Sequence, residues 1–147
     1  MKKELKVQLD GNLENQSLAR AIAAAFVSEI DPTVEEMTEI KTAVSEAFSN
    51  ACVHGYGNQG GMVWMEFYFT SSDTVMIKVI DKGVGIENIA KAMEPLYTTK
   101  PELERSGMGF AFMEAFMDDL QVFSTPGVGT KIVMDKKIGS TPWLSEE

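Results

Sequence analysis

MVWMEFYFTSSDTVMIKVIDKGVGI, residues 62–86, decides the fold. Two runs rich in β-branched and aromatic residues flank the short polar break Thr70-Ser71-Ser72-Asp73, the signature of a hairpin and so of antiparallel pairing. Upstream, ELKVQLD (residues 4–10) alternates with period two and reads as a further strand. LARAIAAAFVSEI (18–30) reads as a helix on its composition and its stripe Leu18, Ile22, Ala25, Phe26, Ile30. Asp31-Pro32-Thr33 breaks the chain, and Thr33 with Glu36 has capping-box spacing for a longer helix that should run to about His54, where Gly55 can end it. YGNQGG (56–61) is a turn-rich loop. Downstream, residues 87–106 hold a weak helix pattern and the polar stretch YTTKPELERSG, expected to be a mobile loop. FAFMEAFMDDL reads as the third helix, and LQVFST with GTKIVMDKK as a last strand pair around Pro126-Gly127. The order β-α-α-β-β-(α)-α-β-β implies an α+β sandwich, a mostly antiparallel, mixed sheet with helices on one face.

The chain has 147 residues, enough for one domain with its own core, expected over residues 1–138 with a frayed tail at 139–147. Its 22 acidic and 13 basic residues give a net charge of −9, which argues against a groove that tracks a nucleic-acid backbone. The single cysteine, Cys52, excludes an internal disulfide framework and a thiolate zinc cluster, and a reducing cytoplasm is the expected setting. MKKELKVQLDG has no apolar signal core, and no run approaches the ~20 apolar residues of a membrane span, so a soluble, unprocessed chain without membrane contact is expected.

Four local features carry chemistry. On the second helix, Ile40, Ala43, Val44, Ala47, Phe48 and Ala51 share one apolar face, and Glu46, Asn50 and His54 form a polar row along its edge. A carboxylate in such a row can act as a general base, and an amide oxygen can ligate a hard cation such as Mg2+. Solvated boundary residues would give the same row. Next, Asp81 with Gly83 and Gly85 can present a carboxylate to an exocyclic amine while the glycines let a flat ring approach, although a plain tight turn reads alike. Third, Gly107-Met108-Gly109 opens a helix and exposes backbone N–H groups to an anion, with Lys100 and Arg105 just upstream; a flexible loop capped by Ser106 is the simpler reading. Last, Gly129-Thr130 starts the final strand with a hydroxyl that can join a polar contact. Neither a Rossmann fingerprint nor a GxxxxGK[ST] phosphate loop is present.

The order E-x-x-x-N, D-x-G-x-G, G-x-G, G-T resembles the Bergerat-fold (GHKL) ATP-binding family of histidine kinases and type II topoisomerases. More specifically, QSLARAIAAAF, EAFSNACVHGYGN, DKGVGI and EPLYTTKPELERSGMGFAFMEAFMDDL resemble the anti-sigma F kinases of endospore-forming bacteria, over about residues 5–137. That resemblance implies an ATP-dependent protein-serine kinase. Glu46 would be the base, Asn50 the Mg2+ ligand, Asp81 the receiver of the adenine amine with Thr130 in support, and Gly83 and Gly85 would flank the base. Thr98, Thr99, Lys100 and Ser106 would belong to a lid over ATP or ADP, with Arg105 near the γ-phosphate and Gly107, Met108 and Gly109 under the phosphates. Arg20 would contact protein partners. It further implies a homodimer that binds sigma F and phosphorylates a serine of a STAS-type anti-anti-sigma protein. A general stress-response anti-sigma kinase and a non-catalytic, nucleotide-gated binding module are the alternatives. Cys52-Val53, where two aliphatic residues are common, and Tyr97, where Phe is usual, depart from the family pattern.

Overall fold

The computed structural model describes residues 3–94 and 109–139. Five strands, β1 (Glu4–Asp10), β2 (Met62–Ser71), β3 (Thr74–Asp81), β4 (Asp119–Thr125) and β5 (Gly129–Lys137), form one sheet in the order β1-β2-β3-β5-β4. Helices α1 (Gln16–Val27), α2 (Val34–Asn50) and α4 (Gly109–Phe116) contribute to one shared core, and a single turn, α3 (Ile89–Ala92), follows the β3 loop. The α+β sandwich is therefore the observed fold. Every pairing among the described strands is antiparallel, so the sheet is antiparallel throughout rather than mixed.

Alternation sorts the sheet into two faces. Val63, Met65, Phe67 and Phe69 of β2, Val75, Ile77 and Val79 of β3, and Ile132 and Met134 of β5 are buried against the helices. Three polar residues occupy the same inward rows: Asp81 ends that of β3, Thr130 begins that of β5, and Lys136 closes it. The register pairs Asp81 with Thr130. The hairpin's break is shorter than expected, because β2 continues to Ser71 with a register shift between Phe69 and Ser71.

The capping box is formed as expected: Thr33 Oγ1 accepts the Glu36 N–H at 3.0 Å, and Glu36 Oε1 accepts the Thr33 N–H at 2.8 Å. The apolar face of α2 is also as expected, with Ile40, Ala43, Val44, Ala47 and Phe48 fully buried. On α1 the stripe lies about one residue further round. Ala19, Ala23, Phe26 and Val27 are buried, whereas Leu18 is 47% exposed and Ala25 is exposed. Small side chains let α1 lie close to α2, and Phe26 fills the remaining space by stacking on Phe69 at 4.4 Å between ring centroids. A helix packed through alanines can leave a leucine such as Leu18 outside.

The second helix does not stay α-helical to His54. It leaves the α form at Asn50 and closes with a π-helical turn, Ala51–Gly55, in which the Tyr56 N–H reaches the Ala51 carbonyl at 3.0 Å. His54 thus lies on a wider turn, off the straight row of Glu46 and Asn50. The third helix is shorter than expected, since β4 starts at Asp119. The expected lid, residues 98–106, and all of the expected tail 139–147 but Gly139 lie outside the described residues.

Candidate nucleotide site

The wide turn at the end of α2 brings the Gly55 backbone onto the end of β3. A Cβ on Gly55 would stand 2.8 Å from the Asp81 carboxyl carbon, and one on Gly83 would stand 2.0 Å from the Gly55 carbonyl oxygen. Both positions need glycine because the neighbours are backbone or a buried carboxyl. The Val84 N–H donates to the Gly55 carbonyl at 2.9 Å, and the Gly127 N–H donates to the Val84 carbonyl at 2.7 Å. Gly85 turns the loop at φ +77° against the Thr125 carbonyl. The loop is held from both sides. Gly83→Ala is expected to cost about 2–4 kcal/mol, because no flexible side chain is there to yield; thermal unfolding measures it.

Two side chains complete this floor. The Tyr56 hydroxyl accepts the Lys82 N–H at 2.8 Å and donates to the Met62 carbonyl at 2.5 Å, pinning the start of the loop to β2. The Ser124 hydroxyl accepts the Ile86 N–H at 2.7 Å and lies 2.8 Å from the Thr130 hydroxyl. Neither residue stood out in the sequence. Tyr56 had only its place between two glycines in HGYG, and Ser124 had no signal of its own.

Asp81 is 5% exposed. Its Oδ1 accepts the Gly83 N–H at 2.8 Å, and the Thr130 backbone N–H supports it as well. Burial still outweighs both, and the carboxyl is pushed up from 3.8 to about 6. The neighbouring Cys52 thiol is raised to about 12, by burial first and then by the Asp81 charge, so it is an inert packing group.

The raised carboxyl has a pH consequence. The folded state holds the Asp81 proton more tightly than the unfolded chain, so its contribution to stability falls as pH rises from 3.8 to about 6 and is flat above. Ionised at neutral pH, it costs about 3 kcal/mol in the absence of ligand. The expected result is that Asp81→Asn removes this decline from the melting temperature of the unliganded chain, leaving the variant's curve flatter over that window.

Further back along α2 stands Glu46. It is half-buried on α2, and its Oε2 lies 3.4 Å from where a Cβ on Gly109 would be, at the first residue of α4. Asn50, also half-buried, lies one turn further along α2 towards Gly55. The residues singled out from the sequence therefore form two groups joined by α2: Asp81, Gly83, Gly85 and Thr130 at one end, Glu46 and Gly109 at the other. Arg20 is exposed on α1. Thr98, Thr99, Lys100, Arg105, Ser106, Gly107 and Met108 lie outside the described residues.

A buried acid at one end and a helix N-terminus at the other suit a base and a phosphate chain. Residues 9–136 match the family described as the histidine kinase-like ATPase domain. The anti-sigma F factor of Clostridium acetobutylicum is 51% identical over 137 residues, covering 93% of this chain and 95% of that protein. Its namesake in Clostridium perfringens (strain SM101 / Type A) is 49% identical over 140 residues, covering 95% and 100%.

The chain belongs to the anti-sigma F factor family.

A third anti-sigma F factor, from Thermoanaerobacter pseudethanolicus, is 54% identical over 127 residues, covering 86% of this chain and 88% of its own. Among solved structures, the RsbU and RsbW domains of Rv1364c from Mycobacterium tuberculosis superpose with a TM-score of 0.67 at 20% identity, over 92% of this chain and 32% of that one, a likeness of fold. Membership in the anti-sigma F factor family places a kinase-like ATPase domain across almost the whole chain. Among the described residues, no helix is long and apolar enough to cross a membrane.

Proposed function

We propose that this chain binds and inhibits the sporulation sigma factor sigma F and, with Mg-ATP, phosphorylates a serine of a STAS-type anti-anti-sigma partner. The observation that carries this reading is that α2 sets Glu46 against the first residue of α4 and leads, through the turn after it, to Gly55 against Asp81. In this reading the adenine amine donates to the Asp81 carboxylate, while the rigid glycine loop leaves room for the flat ring. The phosphates run along α2 to the α4 N-terminus, whose free N–H groups and dipole favour negative charge. Arg105 and Lys100 add cationic charge there, with Thr98, Thr99, Ser106, Gly107 and Met108 as the surrounding lid.

Phosphoryl transfer asks a protein mainly for positioning and charge neutralisation. Glu46 accepts the proton of the incoming serine hydroxyl and holds that oxygen in line with the γ-phosphorus. Among the described residues, no cluster of three acidic, histidine or cysteine side chains could hold a metal on its own. Mg2+ suits such a site, because it takes few protein ligands and completes its shell with water and phosphate oxygens; Asn50 is the residue that would hold it. When bound it would neutralise phosphate charge. Arg20 on α1 contacts the protein partners. The chain acts as a homodimer, which fits β1 as an edge strand paired only to β2 among the described strands.

The test is incubation of the purified chain with γ-labelled ATP, Mg2+ and the anti-anti-sigma protein, with its serine-to-alanine form as control. Label on that serine is expected. Nucleotide binding without transfer would replace the kinase by a nucleotide-gated binding module.

A further inference from the structure

Lys136 sits where β5's inward row calls for an apolar side chain. It is 8% exposed, in register with the buried Val75 of β3. A lysine so placed needs partners, and it has two from different helices. Its Nζ donates to the carbonyl of Phe116, the last residue of α4, at 2.7 Å, and lies 3.3 Å from Glu39 Oε1 on α2. The cation therefore stands at the negative end of the α4 dipole and is balanced by a carboxylate of the helix that also carries Glu46. Adjacent contacts reinforce the junction. The Asp118 N–H donates to the Asp135 carbonyl at 2.9 Å, the Lys137 N–H donates to Asp118 Oδ2 at 2.7 Å, and the Gly139 N–H donates to Glu36 Oε2 at 2.9 Å.

Eight residues of α4 are described, and the first of them faces Glu46. Over so short a span the helix moves as one rigid element, so a shift at Phe116 carries over to Gly109. Packing of Phe110 and Met113 holds its inner face, but apolar contacts tolerate small rotations better than a directed, charge-assisted hydrogen bond does.

We propose that Lys136 is a positioning residue for the phosphate end of the site: it ties the C-terminus of α4 to α2 and thereby sets Gly109 against Glu46. The inference rests on the reading above, in which phosphates meet the α4 N-terminus. It makes Lys136 matter for ligands that carry phosphates and not for the base alone.

Calorimetry with adenosine and with Mg-ADP on the full chain separates these cases. In Lys136→Met the ADP dissociation constant is expected to rise at least fivefold while that of adenosine stays within twofold, and Lys136→Arg should recover most of the loss. Should the methionine variant fail to fold, Glu39→Gln, which keeps an acceptor but removes the balancing charge, is expected to lose ADP selectively by at least twofold. An unchanged ratio of ADP to adenosine affinity in a folded variant, or a parallel loss of both, would overturn the proposal. Equal affinities for adenosine and ADP in the unaltered chain would remove the phosphate site at α4, and this inference with it.

Discussion

Glu46→Gln is expected to bind Mg-ATP within about twofold of the unaltered chain yet to phosphorylate the acceptor serine about 10²–10⁴-fold more slowly. The amide is the same size as the carboxylate, so the packing beside Gly109 keeps its shape. What it loses is the capacity to take a proton and to orient a hydroxyl with full negative charge. Because that loss acts on the transfer step and not on ground-state binding, kcat falls and nucleotide affinity does not. Single-turnover transfer with labelled ATP beside a binding isotherm measures both. An unchanged transfer rate would remove Glu46 from the reaction.

Asp81→Asn is expected to move two properties in opposite directions. An ionised acceptor opposite the adenine amine makes a charge-assisted hydrogen bond, and replacing it by an amide that turns its NH2 inward costs about 1.5–3 kcal/mol, or roughly 10–100-fold in nucleotide affinity. The unliganded chain, by contrast, is relieved of a buried charge whose proton affinity burial has raised to about 6. It should be at least as stable as the original at neutral pH. Weaker binding together with an undiminished melting temperature is a signature that a general folding defect does not produce. A variant that melts lower and binds nucleotide normally would contradict both halves.

Much of this architecture was legible in the sequence, for identifiable reasons. The hairpin, the capping box at Thr33 and Glu36, and the α2 face from Ile40 to Ala51 follow from periodicity and local hydrogen bonding, which tertiary contacts reinforce here. The α1 stripe was misread because periodicity weights size. The actual packing selects small residues, burying Ala19 and Ala23 and leaving Leu18 outside. The π turn at Ala51–Gly55 carries no distinct residue signature, yet it sets Gly55 against Asp81.

The site divides along the same line. Asp81, Gly83 and Thr130 could be read because an acid and small residues at strand ends are unusual in an otherwise apolar row. Tyr56 and Ser124 could not, since each acts through a backbone group distant in sequence, Lys82 and Ile86 respectively. Lys136 is easily lost for a further reason: in IVMDKK it reads as one of two ordinary strand-end lysines, although the alternation Ile132, Met134, Lys136 puts it on the inward row.

Resolving backbone amides by NMR while ligand is added tests the two-ended site most directly. Adenosine is predicted to shift Gly83, Gly85 and Thr130 but leave Gly109 and Phe110 in place, whereas Mg-ADP shifts both groups. A Gly109 resonance that ignores ADP, or one that follows adenosine while Gly83 does not, would contradict the account.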